Sequence, residues 1–155
     1  MRGLIGGSSR RGSQMLEAAL VLIVGCGLMF LVIDTGWTLF VKATLQHAVA
    51  EGCRYAITGQ TSNGLGQIAS IESVVQTQAM GLLNSQMGTL SVTFYNPTTL
   101  AQTTSNLGGN LVEVAISNYR LTPLAPLLYS RNSIPVTVRA TDILEPSPGG
   151  VPPAP

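Results

Sequence analysis

The feature that most constrains this chain is an apolar run with an acid at each end. Sixteen consecutive uncharged, mostly large apolar residues, 18–33, lie between Glu17 and Asp34. As a helix they rise about 24 Å, less than the roughly 30 Å hydrocarbon core of a bilayer, so at least one acid lies at or inside the hydrocarbon boundary. The longer stretch from Met15 to Val41 is sufficient to span a membrane. The run therefore predicts a transmembrane helix.

Positive charge is distributed unevenly about this run. Arg2, Arg10 and Arg11 precede it, and no comparable cluster follows it closely. The positive-inside rule therefore predicts a cytoplasmic N-terminus and an outward-facing remainder. Conventional secretion is the alternative, because residues 48–50 offer a small-x-small cleavage pattern. That site lies seventeen residues beyond the run, whereas a conventional signal is cut shortly after its apolar segment.

Composition argues against an enzyme. Charged residues are 10% of the chain, and there are one histidine, two cysteines and seven carboxylates, a small stock for catalysis or metal binding. No catalytic residue, metal ligand set or cofactor site is predicted, and neither a nucleic acid nor a small-molecule substrate is expected. His47 is interpreted as a solvated side chain on a polar helix face. Cys26 and Cys53 are about 40 Å apart on one continuous helix, so they cannot bridge within it.

Beyond the apolar run the pattern becomes amphipathic. No proline interrupts residues 13–58, and Gly59 is a natural helix stop. Apolar or small residues recur at helical spacing, which predicts one helix that leaves the membrane and continues as a spine: Val41, Leu45, Ala48, Val49, Gly52 and Ala56.

The rest of the chain predicts a small outer domain, 59–145. Helical periodicity from Ile68 towards Gly88 indicates a second helix, and three alternating segments near 90–94, 112–116 and 134–138 indicate about three antiparallel strands. The apolar, proline-containing connection 121–129 is expected to lie on the sheet or on lipid headgroups. Residues 146–155 are predicted to be a disordered Pro/Gly-rich tail. The expected fold class is α+β, with the spine of 13–58 covering one sheet face.

The residues around the start of the apolar run resemble a type IV pilin signal. Arg10 and Arg11 are followed by Gly12, and Glu17 stands at the fifth position after that glycine. The resemblance implies a leader of residues 1–12 and cleavage by a prepilin peptidase between Gly12 and Ser13. It also implies that Glu17 takes part in subunit assembly.

A wider resemblance covers roughly residues 12–57. The run EAALVL, Asp34-x-Gly36 and the segment EGCRYA, residues 51–56, resemble the TadE family of pseudopilins in bacterial tight-adherence pili. Thr35, Trp37 and Cys53 depart from that family's pattern. Asp34 and Trp37 are the remaining interface candidates.

The resemblance implies a non-enzymatic, pilin-like, single-pass protein of the bacterial inner membrane, with its C-terminal domain in the periplasm. Its expected partners are a prepilin peptidase and other pilins or pseudopilins, and it is placed in or at the base of an extracellular pilus. The alternative is a membrane-tethered envelope protein whose outer domain binds a partner without entering a filament.

Overall fold

The computed structural model describes residues 8–62, 64–84, 88–124, 133–146 and 152–154. Its largest element is a helix of 50 residues, α1, which runs from Ser8 to Ile57. At 1.5 Å per residue α1 is about 75 Å long. Just beyond it Gly59 has a left-handed φ of 62° and donates its N–H to the Ala56 carbonyl over 3.1 Å. The predicted stop therefore caps the helix.

The two halves of α1 have different surroundings. From Gly12 to Ile33 every residue except Gly27 is exposed. From Val41 onward one face is buried against the outer domain, by residues spaced three and four apart: Val41, Leu45, Ala48, Val49, Gly52, Cys53 and Ala56. The predicted amphipathic face is the one that covers the sheet.

The outer domain contains a four-stranded antiparallel sheet. Its strands are β1 (Thr89–Tyr95), β2 (Gln102–Thr103), β3 (Leu111–Leu121) and β4 (Ile134–Ile143), in the order β2-β1-β3-β4. The two-residue β2 pairs with the end of β1, so the sheet has one edge strand more than expected. α1 packs on β3 and β4, and the α+β class is confirmed.

The second helix, α2, runs from Gln67 to Gln78 and ends earlier than the periodicity suggested. Met80 and Gly81 have φ values of 52° and 77°, which turn the chain away from the helix. The apolar pattern continues past this turn because Leu82 and Leu83 still pack against the core. α2 crosses α1 closely, and a Cβ built on Gly52 would overlap the side chain of Val75.

Buried amides hold the end of the domain that lies farthest from the apolar run. Gln67 Nε2 donates to the Ala56 carbonyl (3.2 Å), and Asn106 Nδ2 donates to Gln67 Oε1 (2.6 Å). Two tail carbonyls join this cluster: Pro153 accepts from Asn106 Nδ2 at 2.7 Å, and Ala154 accepts from the Gln67 backbone N–H at 2.8 Å. Pro153 and Ala154 are thus hydrogen-bonded to the domain, while residues 147–151 and 155 of the predicted tail lie outside the described residues.

Candidate assembly interface

The predicted processing site lies inside α1 and not in an extended segment. Gly12 and Ser13 are both exposed, and a Cβ built on Gly12 would meet no atom within 4 Å. Packing within the chain therefore does not require a glycine at this position. Glycine lowers helix stability by about 1 kcal/mol relative to alanine, so the turn at Gly12 is comparatively easy to unwind.

Glu17 follows one helical turn after Ser13. Residues four apart lie on the same helix face, with Cβ atoms about 6 Å apart. The Glu17 side chain is exposed, and within the described residues no group forms a hydrogen bond or ion pair with its carboxylate. A terminal amine at Ser13, or a cation on another chain, could therefore reach this carboxylate.

The surface that carries these residues is apolar and of membrane length. The described helix from Gly12 to Ile57 contains a segment long and apolar enough to cross a bilayer, and no part of its most apolar window is buried. In water, exposing so many large apolar side chains would be strongly unfavourable. The first half of α1 therefore requires lipid, other helices or both around it.

Asp34 is placed differently from Glu17. Its side chain is 4% exposed, and its Oδ1 accepts a 2.8 Å hydrogen bond from the backbone N–H of Leu124. The two residues are 90 positions apart in the chain. Asp34 thus connects the end of the apolar run to the segment that follows β3.

Trp37 lies one turn beyond Asp34 and stacks on Phe40, with ring centroids 5.8 Å apart and an interplanar angle of 26°. It also lines a surface groove of about 390 Å³ whose other walls include Tyr119, Arg120 and Leu124. The predicted interface candidates Asp34 and Trp37 are therefore brought together, and both contact the chain's own outer domain.

The structure separates this pair from the predicted processing site. Glu17 and Asp34 are 17 residues apart, or about 25 Å along the helix. Sequence reasoning missed Leu124 and Arg120, which share the groove with Trp37. The only signal was the apolar character of the connection 121–129, of which residues 125–129 lie outside the described residues.

The two cysteines and the histidine noted in the sequence are placed in three different environments. Cys53 is buried with its Sγ 4.0 Å from the Val112 carbonyl oxygen, and burial, with the charge of Asp142 second, raises the pKa of this thiol from 9.0 to about 11. Cys26 is a free thiol exposed on the apolar half. His47 and Arg54 flank Glu51 on the exposed face. Their nitrogens His47 Nδ1 and Arg54 Nη1 lie 4.0 and 3.2 Å from Glu51 Oε1. Among the described residues no cluster of three or more histidine, cysteine or acidic side chains could hold a metal ion.

Comparison with known proteins gives one family. The model of the family described as TadE-like protein matches residues 12–54. No curated protein and no solved structure matches the chain significantly. The matched segment begins at Gly12, includes Glu17, Asp34 and Trp37, and ends three residues before the end of α1. The chain is thus similar to TadE-like proteins over residues 12–54, and its N-terminal helix is the part that carries this similarity.

Proposed function

We propose that this chain is a pseudopilin, or minor pilin, of a tight-adherence pilus and that a prepilin peptidase processes it. The TadE-like match associates it with the machinery of such pili, and the match begins at the residue where the leader would end. That coincidence at Gly12 is the observation that carries the proposal. The exposed first half of α1 supports the proposal. A filament subunit needs a helix that is surrounded by lipid before assembly and by neighbouring helices after it.

Orientation follows from charge. With Arg2, Arg10 and Arg11 in the cytoplasm, the outer domain lies in the periplasm and the peptidase acts on the cytoplasmic side. Cleavage after Gly12 removes all three arginines, so 8 basic side chains become 5 while 7 acidic ones remain. Each arginine costs roughly 2.5 to 3.5 kcal/mol to move to the bilayer centre on insertion scales. Removing the leader thus lowers the barrier to extracting the subunit.

Access to the scissile bond requires a local change in the helix. Gly12 and Ser13 are exposed but helical, and proteolysis needs an extended backbone at the bond that is cut. Because glycine weakens this turn, residues 8–13 can unwind without disturbing the covered half of α1, which begins 28 residues later at Val41. The peptidase would then bind a short unwound segment at the membrane surface.

After cleavage, Glu17 supplies a docking contact. Its carboxylate lies on the same face as the new Ser13 amine and pairs first with its own terminus. In a filament it pairs with the terminus of a neighbouring subunit, where low dielectric makes an unpaired charge costly. The glutamate therefore sets the register between subunits more than it adds stability.

The processing step has a direct test. Full-length chain expressed with a prepilin peptidase should lose residues 1–12, and intact-mass measurement should find a mature protein starting at Ser13. Gly12→Val should stay uncut, whereas Gly25→Ala, a change at an equally unobstructed helix glycine, should be cut normally. A chain that keeps Met1 in the presence of active peptidase, or one that starts at Glu51, would contradict the proposal.

The docking step is tested at Glu17. Glu17→Ala should insert, fold and be cleaved normally yet fail to support surface pili, and Glu17→Gln should give intermediate piliation at best. Glu145→Ala is the matched control, because Glu145 is an exposed acid on the outer domain. Electron microscopy of pili, with membrane level and cleavage measured in the same strains, provides the readout. Normal piliation with Glu17→Ala would favour the membrane-tethered envelope protein that does not enter a filament.

A further inference from the structure

The hydrogen bond between Asp34 and Leu124 fixes the height of the outer domain above the membrane. From Met15 to Ile33 the helix rises about 28 Å, which nearly fills a hydrocarbon core of roughly 30 Å. Asp34 then lies at the outer hydrocarbon boundary. Leu124 lies at the same level, because its N–H is 2.8 Å from the Asp34 carboxylate. This reasoning rests on the membrane span that the proposed function requires.

The side chains exposed at this level match the chemistry of a membrane interface. Leu124 is 59% exposed, and the stacked rings of Trp37 and Phe40 lie three to six residues beyond Asp34, about 5 to 9 Å above the boundary. Arg120 is exposed on the same groove. Aromatic rings concentrate at the headgroup level, and arginine extends its charge towards phosphates there. These four residues form the boundary face.

We propose that the boundary face is a bilayer-docking surface. Leu124 enters the junction between glycerol and acyl chains, Trp37 and Phe40 lie among the headgroups, and Arg120 pairs with a phospholipid phosphate. The bilayer is favoured over a protein partner because this face continues directly from the lipid-facing half of α1. The outer domain then has two attachments to the membrane, and Asp34 is the positioning residue that holds the second one in place.

Depth measurements on the full chain in phosphatidylcholine–phosphatidylglycerol vesicles test this. A nitroxide label is placed at Leu124→Cys or at the matched control Leu107→Cys, with Cys26 replaced by alanine; Cys53 is buried and should not react. Leu107 is 53% exposed and lies near the Asn106–Gln67–Ala56 cluster, and Ala56 is about 33 Å along the helix from Asp34. The label at position 124 should show a several-fold higher ratio of oxygen to water-soluble nickel collisions than the label at 107.

Trp37 tests the membrane span separately, because it is the only tryptophan in the chain. Its fluorescence should be quenched by lipids brominated near the headgroup. Quenching of Trp37 together with equal water exposure at positions 124 and 107 would overturn the docking proposal and leave the span intact. Absence of quenching would overturn both. Protection of position 124 that disappears when the protein is diluted into excess lipid would assign the face to a second copy and also overturn bilayer docking.

Discussion

The two halves of α1 belong to one continuous helix but differ in how much protein packs against them. Residues 12–33 carry large apolar side chains and have almost no protein around them, whereas residues 41–57 carry a mixed sequence and are covered along one face by β3 and β4. The apolar half is uniform around its circumference, and the covered half is periodic. The comparison shows that a sharp change in pattern, with no break in the helix, marks where the surroundings change.

This difference assigns separate roles to the halves. The covered half and the sheet form one hydrophobic core, so the stability of the outer domain depends on it. The bare half adds nothing to that core and is available to lipid or to other helices. The same substitution should therefore lower the stability of the outer domain when it is made in the covered half and leave that stability unchanged when it is made in the apolar half.

The largest expected effect comes from a pair of leucines. Leu45 is 0% exposed and Leu22 is 66% exposed. Leu45→Ala should lower the free energy of unfolding of the outer domain by about 2 to 5 kcal/mol, because it leaves a cavity in the core. Leu22→Ala should change it by no more than about 0.5 kcal/mol. Urea unfolding in detergent micelles, followed by near-ultraviolet circular dichroism, compares the two; equal losses would show that the apolar half also supports the domain.

A smaller effect is expected from a pair of glycines. Gly52 faces Val75 at the crossing of α1 and α2, and Gly12 faces open space. Gly52→Ala should destabilise the domain by about 1 to 3 kcal/mol through overpacking. Gly12→Ala should leave domain stability unchanged, since its only effect is on the uncovered end of the helix. Val75→Ala combined with Gly52→Ala should recover part of the loss, and failure to do so would rule out this contact as the cause.

The smallest expected effect is a pH dependence in the covered half. The unfolded Cys53 thiol ionises near its ordinary pKa of 9.0, while the folded thiol has a pKa of about 11. The unfolded state therefore releases this proton first, and stability should fall as pH rises from about 9 to about 11. Cys53→Ala should remove this part of the decline, and Cys26→Ala should retain it. The pKa of Tyr119 is also raised by burial, so the difference between variant and wild type is the quantity to measure in urea titrations.

The sequence indicated the main elements because each has a strong local pattern. Short stretches of sequence are enough to recognise the apolar run, the periodicity of 41–56, the glycine at 59 and the three alternating strands. The α+β architecture then follows because the spine covers the sheet. The short strand β2 has no such signal. Its two residues pair only because the turn after Pro97 brings them back to Phe94 and Tyr95.

The contacts missed from sequence depend on residues distant in the chain. The position of Asp34 at the end of the apolar run makes it an interface candidate, but nothing local indicates that it binds the backbone of Leu124. The contacts of Pro153 and Ala154 are similar: their carbonyls accept hydrogen bonds from the Asn106 side chain and the Gln67 backbone N–H, which composition does not indicate. Both contacts use backbone groups, which every residue carries, so side-chain identity cannot reveal them.

The unbroken course of α1 from its apolar half into its covered half has a mechanical consequence. Within the described chain the helix continues from Ser8 to Ile57 with no intervening loop, and the outer domain is attached to it from Val41 onward and again at Asp34. Axial force applied at the apolar end of α1 therefore travels through continuous helical hydrogen bonds directly into the domain. The protein would move as one rigid body, so rotation or translation of the apolar half would displace the far end of the outer domain without a hinge to absorb it.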